Sequence, residues 1–380
     1  MLRLGPLALA ASVVGLAGCG ASEATPPQPP PARSATVASD SPTVYSSSTD
    51  APSADVSPAP ADAHASPTAS RGSAESQALR WSLQDTLNEA VAEADALGGH
   101  ASVALWLNGW SAPVVARSAT PTYGRMWSMS KPVALIATDE AAQRQGRSLD
   151  QALMTAATDA ITRSDNCAER RIILELQQLT GGLAPALAAF DEVLTQAGAS
   201  PVKTPERSVL EEPMCLNYFN QRAPISDPAA EAWEFGTDEW TVAQAAGFAH
   251  ALAGGVYGSA GRLALTLMAK PKQPALASIE GPSGDHIANL QWGAGTSFAP
   301  WHPAYKPGWG GSQQGRFLTG QIVVLQDANP PVAIAAMFYP SVEPATDDVG
   351  ATTGPRALEA VFDRIRGALV QMGVLRDSGS

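Results

Sequence analysis

Ser128-Met129-Ser130-Lys131, followed by the apolar Val133, Leu135 and Ile136, is the stretch on which the reading of this chain turns. If a helix begins about Ser128, the three-residue offset puts the hydroxyl and the amine on one face, close enough for Lys131 to take the serine proton. A serine is inert at its own pKa and needs such a base. A helix N-terminus adds amide dipoles that favour negative charge on its oxygen. Alone, the pattern is cheap, and an exposed helix start explains it better.

Two further strings lie downstream. Ser164-Asp165-Asn166 precedes a helical pattern carrying Ile172, Ile173, Leu176 and Leu179; by itself it reads equally as a helix cap, a position all three residue types favour. Lys306-Pro307-Gly308, then Gly310-Gly311-Ser312, comes before a strand at Ile322 and by itself reads as a turn. Around these strings, Leu83, Leu87 and Val91 share one face of a helix that starts near Leu79 and stops at Gly98-Gly99. Val103, Leu105 and Leu107 alternate as a strand, and Val114-Val115 follows a turn. At the far end, Ile322 to Leu325 and Val332 to Phe338 read as strands. A last helix, with Gly354-Pro355 at its start, carries Leu358, Val361, Phe362, Ile365 and Leu369 on one stripe. The segment from about 131 to 253 is largely helical. The expected fold class is therefore α+β: an antiparallel sheet flanked by helices from both chain ends, with an all-α lobe inserted.

In order, spacing and setting the three strings resemble those of serine β-lactamases, class A above all, and penicillin-binding proteins. The resemblance covers about Leu79 to Gly373. It implies a β-lactamase/transpeptidase-like fold and an acyl-enzyme formed on Ser128, with Lys131 helping to activate it. By the same resemblance Ser164 relays a proton to the leaving nitrogen and Asn166 binds the substrate amide. Lys306 supplies positive charge, Gly308 and Trp309 border the substrate, and the backbone amides of Ser128 and Trp309 form the oxyanion hole. Asp165 is implied to be structural.

The chain departs from the family in two places. Pro307 stands where the family has Thr or Ser, a hydroxyl that binds the substrate carboxylate; Ser312 is the one nearby replacement. On an edge strand a Pro is tolerable because no neighbour needs its amide. The water-activating Glu of class A enzymes is matched only loosely, by Glu212 in Glu212-Pro213-Met214-Cys215-Leu216-Asn217. Glu211 is the rival, and two solvated loop carboxylates are the alternative. The family places the regions of Cys167 and Cys215 close together, which implies a disulfide between them; two buried free thiols are the other reading. Trp127, Tyr305, Trp309 and Trp301 could line a site for an apolar substrate or simply pack.

The N-terminus reads as an export signal. Arg3 precedes an apolar run from Leu4 to Leu16, too short for a transmembrane helix, and Leu16-Ala17-Gly18-Cys19 resembles a bacterial lipobox. Residues 1–18 are then a lipoprotein signal peptide and Cys19 the acylated anchor on the outer face of the cell membrane. Residues 19–78, rich in Pro, Ser, Thr and Ala, are a disordered tether, and 79–380 the hydrolase domain.

Composition sets outer limits. The chain has 380 residues, 45% of them hydrophobic, enough for a sizeable core. A net charge of −12 argues against nucleic acid or a polybasic membrane contact. The His residues are scattered at no metal-ligand spacing, so neither metal nor other cofactor is expected. The expected partners are a small β-lactam or peptidoglycan-like substrate and, through Cys19, the membrane; the domain is expected to be monomeric. Besides a β-lactamase-like hydrolase, a peptidoglycan D,D-peptidase and a non-catalytic binding lipoprotein of the same fold fit the strings.

Overall fold

A computed structural model describes residues 68–118, 123–200, 214–216, 222–224, 238–271, 292–311, 317–341 and 347–376. All belong to the second of two units into which the chain divides, Ala65–Ser380. Cys19, Glu211, Glu212 and Ser312 lie outside the described residues, as do the signal peptide and most of the tether.

One five-stranded antiparallel sheet runs in the order β2-β1-β9-β8-β7. Its members are β1 (Gly99–Leu107), β2 (Val114–Arg117), β7 (Ala304–Gly311), β8 (Phe317–Leu325) and β9 (Val332–Pro340). The sheet is buried on both faces, which explains why β9 is hydrophobic along its whole length. Val332, Ile334, Ala336 and Phe338 enter one core, while Ala333, Ala335, Met337 and Tyr339 enter the other. This is the two-residue strand period, with apolar contacts on both sides.

The first face is covered by the two terminal helices, α1 (Thr68–Asp95) and α9 (Asp347–Gln371), which pack on each other and on the sheet. Their stripes of Leu83, Leu87, Leu358, Val361, Phe362 and Ile365 are fully buried. On the second face lies a lobe made of α2 (Lys131–Arg144), α3 (Gln151–Thr162), α4 (Asn166–Thr180), α5 (Leu183–Gln196), α6 (Val242–Ala253) and α7 (Gly258–Met268). Of these, α6 packs directly on β1, β8 and β9. Helix α2 is buried along its whole first half, Lys131 to Asp139, with Val133, Leu135 and Ile136 fully enclosed, because it runs through the lobe. The remaining elements are the short strands β3 (Gly124–Arg125), β4 (Met214–Leu216), β5 (Arg222–Pro224) and β6 (Glu239–Trp240), and the one-turn α8 (Ala294–Ser297).

Two helix boundaries differ from the sequence expectation. Helix α1 begins at Thr68, upstream of the Leu79 start, and α9 begins at Asp347, so Pro355 lies inside a helix instead of opening it. Gly354 has another reason: a Cβ there would collide with the Thr319 side chain, so α9 approaches β8 closely at this point.

Candidate active site

The site forms where the helical lobe meets the sheet edge. The chain enters it through β3, paired antiparallel with β6, and Met126 N–H donates to Asp238 O at 2.9 Å. A 3₁₀ turn, Trp127–Ser130, then leads directly into α2, with Pro132 in the first helical turn. Trp127 has φ +45°, a left-handed conformation costly for a bulky residue, which turns the chain just before Ser128. Ser164 is likewise left-handed, at φ +59°, immediately before α4. Asp165 caps that helix, its side chain accepting from Ala168 N–H at 2.8 Å.

The period of β7 explains its composition. Ala304 faces the lobe core and Tyr305 the opposite one, so Lys306, Gly308 and Gly310 share the lobe face. Lys306 there reaches Ser164. Gly308 meets the 3₁₀ turn, where a Cβ would lie 2.8 Å from Met126 O and 3.0 Å from Met129 N. At Gly310 a Cβ would lie 2.7 Å from the Trp127 ring. These glycines answer to close approach, not to a turn. Pro307 pairs with Gln321 on a strand whose outer side has no neighbour in the sheet among the described residues, so its missing N–H is tolerated.

Lys131 Nζ donates to Ser128 Oγ at 2.6 Å and to Asn166 Oδ1 at 2.6 Å, and lies 3.0 Å from Glu169 Oε2. Lys306 Nζ donates to Ser164 Oγ at 2.8 Å and to Pro307 O at 3.0 Å. Both amines are fully buried, while Ser128, Ser164, Asn166 and Trp309 remain partly open to solvent. The arrangement is two partly exposed hydroxyls, each backed by a buried amine.

Burial lowers the proton affinity of Lys131, and the Glu169 carboxylate pulls it partly back. Lys306 is pushed well below its ordinary value, first by burial and then by the Lys131 charge. Glu169 is raised by burial and drawn down by Lys131. Each amine is thus biased toward the neutral form a general base needs.

Sequence reasoning missed Glu169. It lies one turn after Asn166 on the same face of α4, and its Oε1 accepts from Ser130 Oγ at 3.1 Å. The one signal was that three-residue spacing; the polar triplet Glu169-Arg170-Arg171 looks solvent-facing, yet the first two are buried. Of the four aromatic residues, Trp127 lies beside Ser128, with its ring against Gly310. Tyr305 is buried in the core beneath α1 and α9, and Trp301 packs against that core, its indole N–H donating to Arg376 O at 2.9 Å. Cys167 is disulfide-bonded, and the strand that carries Cys215, β4, lies against α4. No cluster of three or more metal-ligating side chains occurs among the described residues.

No family model matches the chain, and no curated protein matches it. Among solved structures it is similar to a β-lactamase from Sphaerobacter thermophilus, at 16% identity over 77% of this chain and 99% of that one, with a TM-score of 0.46. A β-lactamase from Xanthomonas campestris aligns at 16% identity over 75% and 98%, with a TM-score of 0.47. A variant of the last common ancestor of Gram-negative bacteria class A β-lactamase aligns at 19% identity over 75% and 99%, with a TM-score of 0.46.

Proposed function

We propose that this protein is an exported, lipid-anchored serine hydrolase that forms an acyl-enzyme on Ser128 with a β-lactam or a related amide or ester. The observation that carries the reading is the 2.6 Å contact between Lys131 Nζ and Ser128 Oγ, with the serine in the turn that leads into α2 and partly open to solvent. Lys131 takes the hydroxyl proton as Ser128 Oγ attacks the carbonyl. The backbone amides of Ser128 and Trp309 receive the oxyanion, a type of contact whose loss costs about a hundredfold or more in rate. Ser164, held by Lys306, passes a proton to the leaving nitrogen, while Asn166, fixed by Lys131, presents its amide N–H to the substrate. Gly308 allows the edge strand to approach. Glu212, with Glu211 as its rival, is the proposed base for the deacylating water.

The sequence around Cys19 supports export and acylation there, which would place the domain on the outer face of the cell membrane. The disulfide of Cys167 is proposed to be with Cys215, since β4 packs on α4 and Cys19 is taken as the lipid anchor.

The reading is tested by intact mass of the purified protein after exposure to several penicillins and a chromogenic cephalosporin, with Ser128→Ala alongside. A covalent adduct or turnover that disappears in Ser128→Ala is expected, and adduct lifetime reports deacylation. No adduct with any β-lactam would remove that substrate class and turn attention to stem-peptide amides, with release of D-alanine as the assay.

A further inference from the structure

The buried carboxylate of Glu169 has no part in the reading above. It belongs to none of the three strings that carry the resemblance. Yet it lies 3.0 Å from the amine that lies 2.6 Å from Ser128 Oγ. Glu169, Lys131 and Ser130 are each 0% exposed. A carboxylate taken out of water without a partner is strongly unfavourable, so its presence needs a reason. A nucleophile within reach of its base, with the base oriented by a third group, is the general form of an activated serine.

We propose that Glu169 is the third member of a Ser128–Lys131–Glu169 relay, positioning the Lys131 amine against Ser128 Oγ and holding the positive charge that the amine gains on taking the serine proton. The inference rests on Ser128 being the nucleophile and adds a residue to its activation. In the reacting state Lys131 is a neutral amine beside an ionised Glu169. The Ser128 O–H bond breaks, a Lys131 N–H bond forms, and the Oγ electron pair bonds to the electrophile. The leaving group departs with its own electron pair, and the new ammonium faces a carboxylate already in place. Full burial and contacts with both oxygens separate this role from that of a base that must hold a water molecule: Oε1 faces Ser130 Oγ and Oε2 faces Lys131.

The test follows from the electrostatics. Burial lowers the proton affinity of Lys131, while Glu169 and, more weakly, Asp165 at the α4 cap raise it; Lys306 on β7 is a further ionisable group that faces it among the described residues. Without the Glu169 charge, Lys131 loses its proton at lower pH and is a weaker base. The probe is a fluorophosphonate bearing a reporter, because fluoride leaves without a proton from Ser164, so the labelling rate reports nucleophile activation alone. Rates are measured against pH on the intact protein for wild type, Ser128→Ala, Glu169→Gln and Glu169→Asp, with thermal unfolding as a fold check.

For Glu169→Gln the expected result is a plateau lowered by roughly a hundredfold together with an acid limb displaced to lower pH. Glu169→Asp recovers part of the rate and returns the limb toward that of wild type. A folded Glu169→Gln with a wild-type limb overturns the proposal, whether its plateau holds or falls, because a merely structural role leaves the limb in place. Should Glu169→Gln fail to fold, Glu169→Asp alone decides: a plateau lowered about tenfold with the limb displaced the same way supports the relay, and a wild-type profile overturns it. Labelling that survives in Ser128→Ala sinks the nucleophile reading itself, an outcome distinct from every Glu169 result.

Discussion

Lys306 shows at the level of one side chain how the chemistry proposed for this site would cost stability. Its amine is fully buried, touches Ser164 Oγ and a backbone carbonyl, and has its proton affinity pushed far down by burial and by Lys131. Replacing it with an apolar side chain of similar length removes the desolvation cost, as for other buried charges. Lys306→Met is therefore expected to raise thermal stability by about 1–3 kcal/mol while abolishing adduct formation. The pH dependence has a definite sign. Between the lowered folded value and the ordinary 10.5, the unfolded chain binds more protons at this residue, so stability rises with pH through that window. Lys131 acts in the same direction. Glu169, raised above its ordinary 4.5, acts in the opposite one: its contribution is complete below 4.5 and falls as pH climbs through the folded value. Unfolding temperatures across the alkaline range should rise for wild type and rise less for Lys306→Met; equal slopes would remove Lys306 as the cause. The two lysines were legible in the sequence because each sits in a short string with a fixed spacing. Glu169 was not, since its neighbours in the chain are charged and only the packing of α4 on α2 reveals that it points inward.

Between elements, the decisive contact is that of β7 with the 3₁₀ turn before α2. Gly308 and Gly320 face each other across β7 and β8, and both approach the segment 126–129. They differ in what an added methyl would meet. At Gly308 it would lie 2.8 Å from Met126 O, which cannot yield without shifting Ser128. At Gly320 it would lie 2.8 Å from Met129 Cε, the far end of a flexible thioether. Gly308→Ala is expected to lose about 1–3 kcal/mol and most Ser128 labelling, and Gly320→Ala to lose under about 1 kcal/mol with labelling kept. Thermal unfolding and probe labelling of the two variants check this, and equal losses would mean the turn is not what the strand rests on. The same contact explains what the sequence concealed. Strands β8 and β9 carry long apolar runs and announce themselves. Strand β7 reads as a turn from its Pro and glycines, because those glycines serve close packing on the lobe face. The early start of α1 was hidden for another reason: its first residues carry no apolar stripe and read with the tether before them.

For the molecule as a whole, the sheet is a partition. Both chain ends, through α1 and α9, close one core beneath it, and the continuous segment from 131 to 268 supplies most of the other. The groups of the candidate site all lie on the lobe side of that partition, at its junction with the sheet: Lys306 is carried by the sheet, whereas Ser128, Lys131, Ser164 and Glu169 are carried by the lobe and the turn that leads into it. Holding them within hydrogen-bond distance therefore requires the lobe to stay fixed against the sheet edge. The N-terminal end of α4 carries Ser164 just before it and Asn166 and Glu169 within its first turn, and Cys167 lies among them in a disulfide. If its partner is Cys215, the bridge closes a loop whose constraint on the unfolded chain amounts to about 4 kcal/mol, less any native strain. It also ties the segment bearing Glu211 and Glu212 to the active-site helix. Cys167→Ser should then lower the unfolding free energy by a few kcal/mol, on the order of that loop estimate. Acylation of Ser128 should persist below the new unfolding transition, because the Ser128–Lys131 contact lies within one chain segment. The lifetime of the adduct should change more than its rate of formation, since the tethered segment is the one that carries the proposed deacylating base. Peptide mapping under non-reducing conditions identifies the partner directly. A Cys167–Cys215 peptide together with an unchanged adduct lifetime in Cys167→Ser would keep the bridge as a structural brace and remove that segment from deacylation.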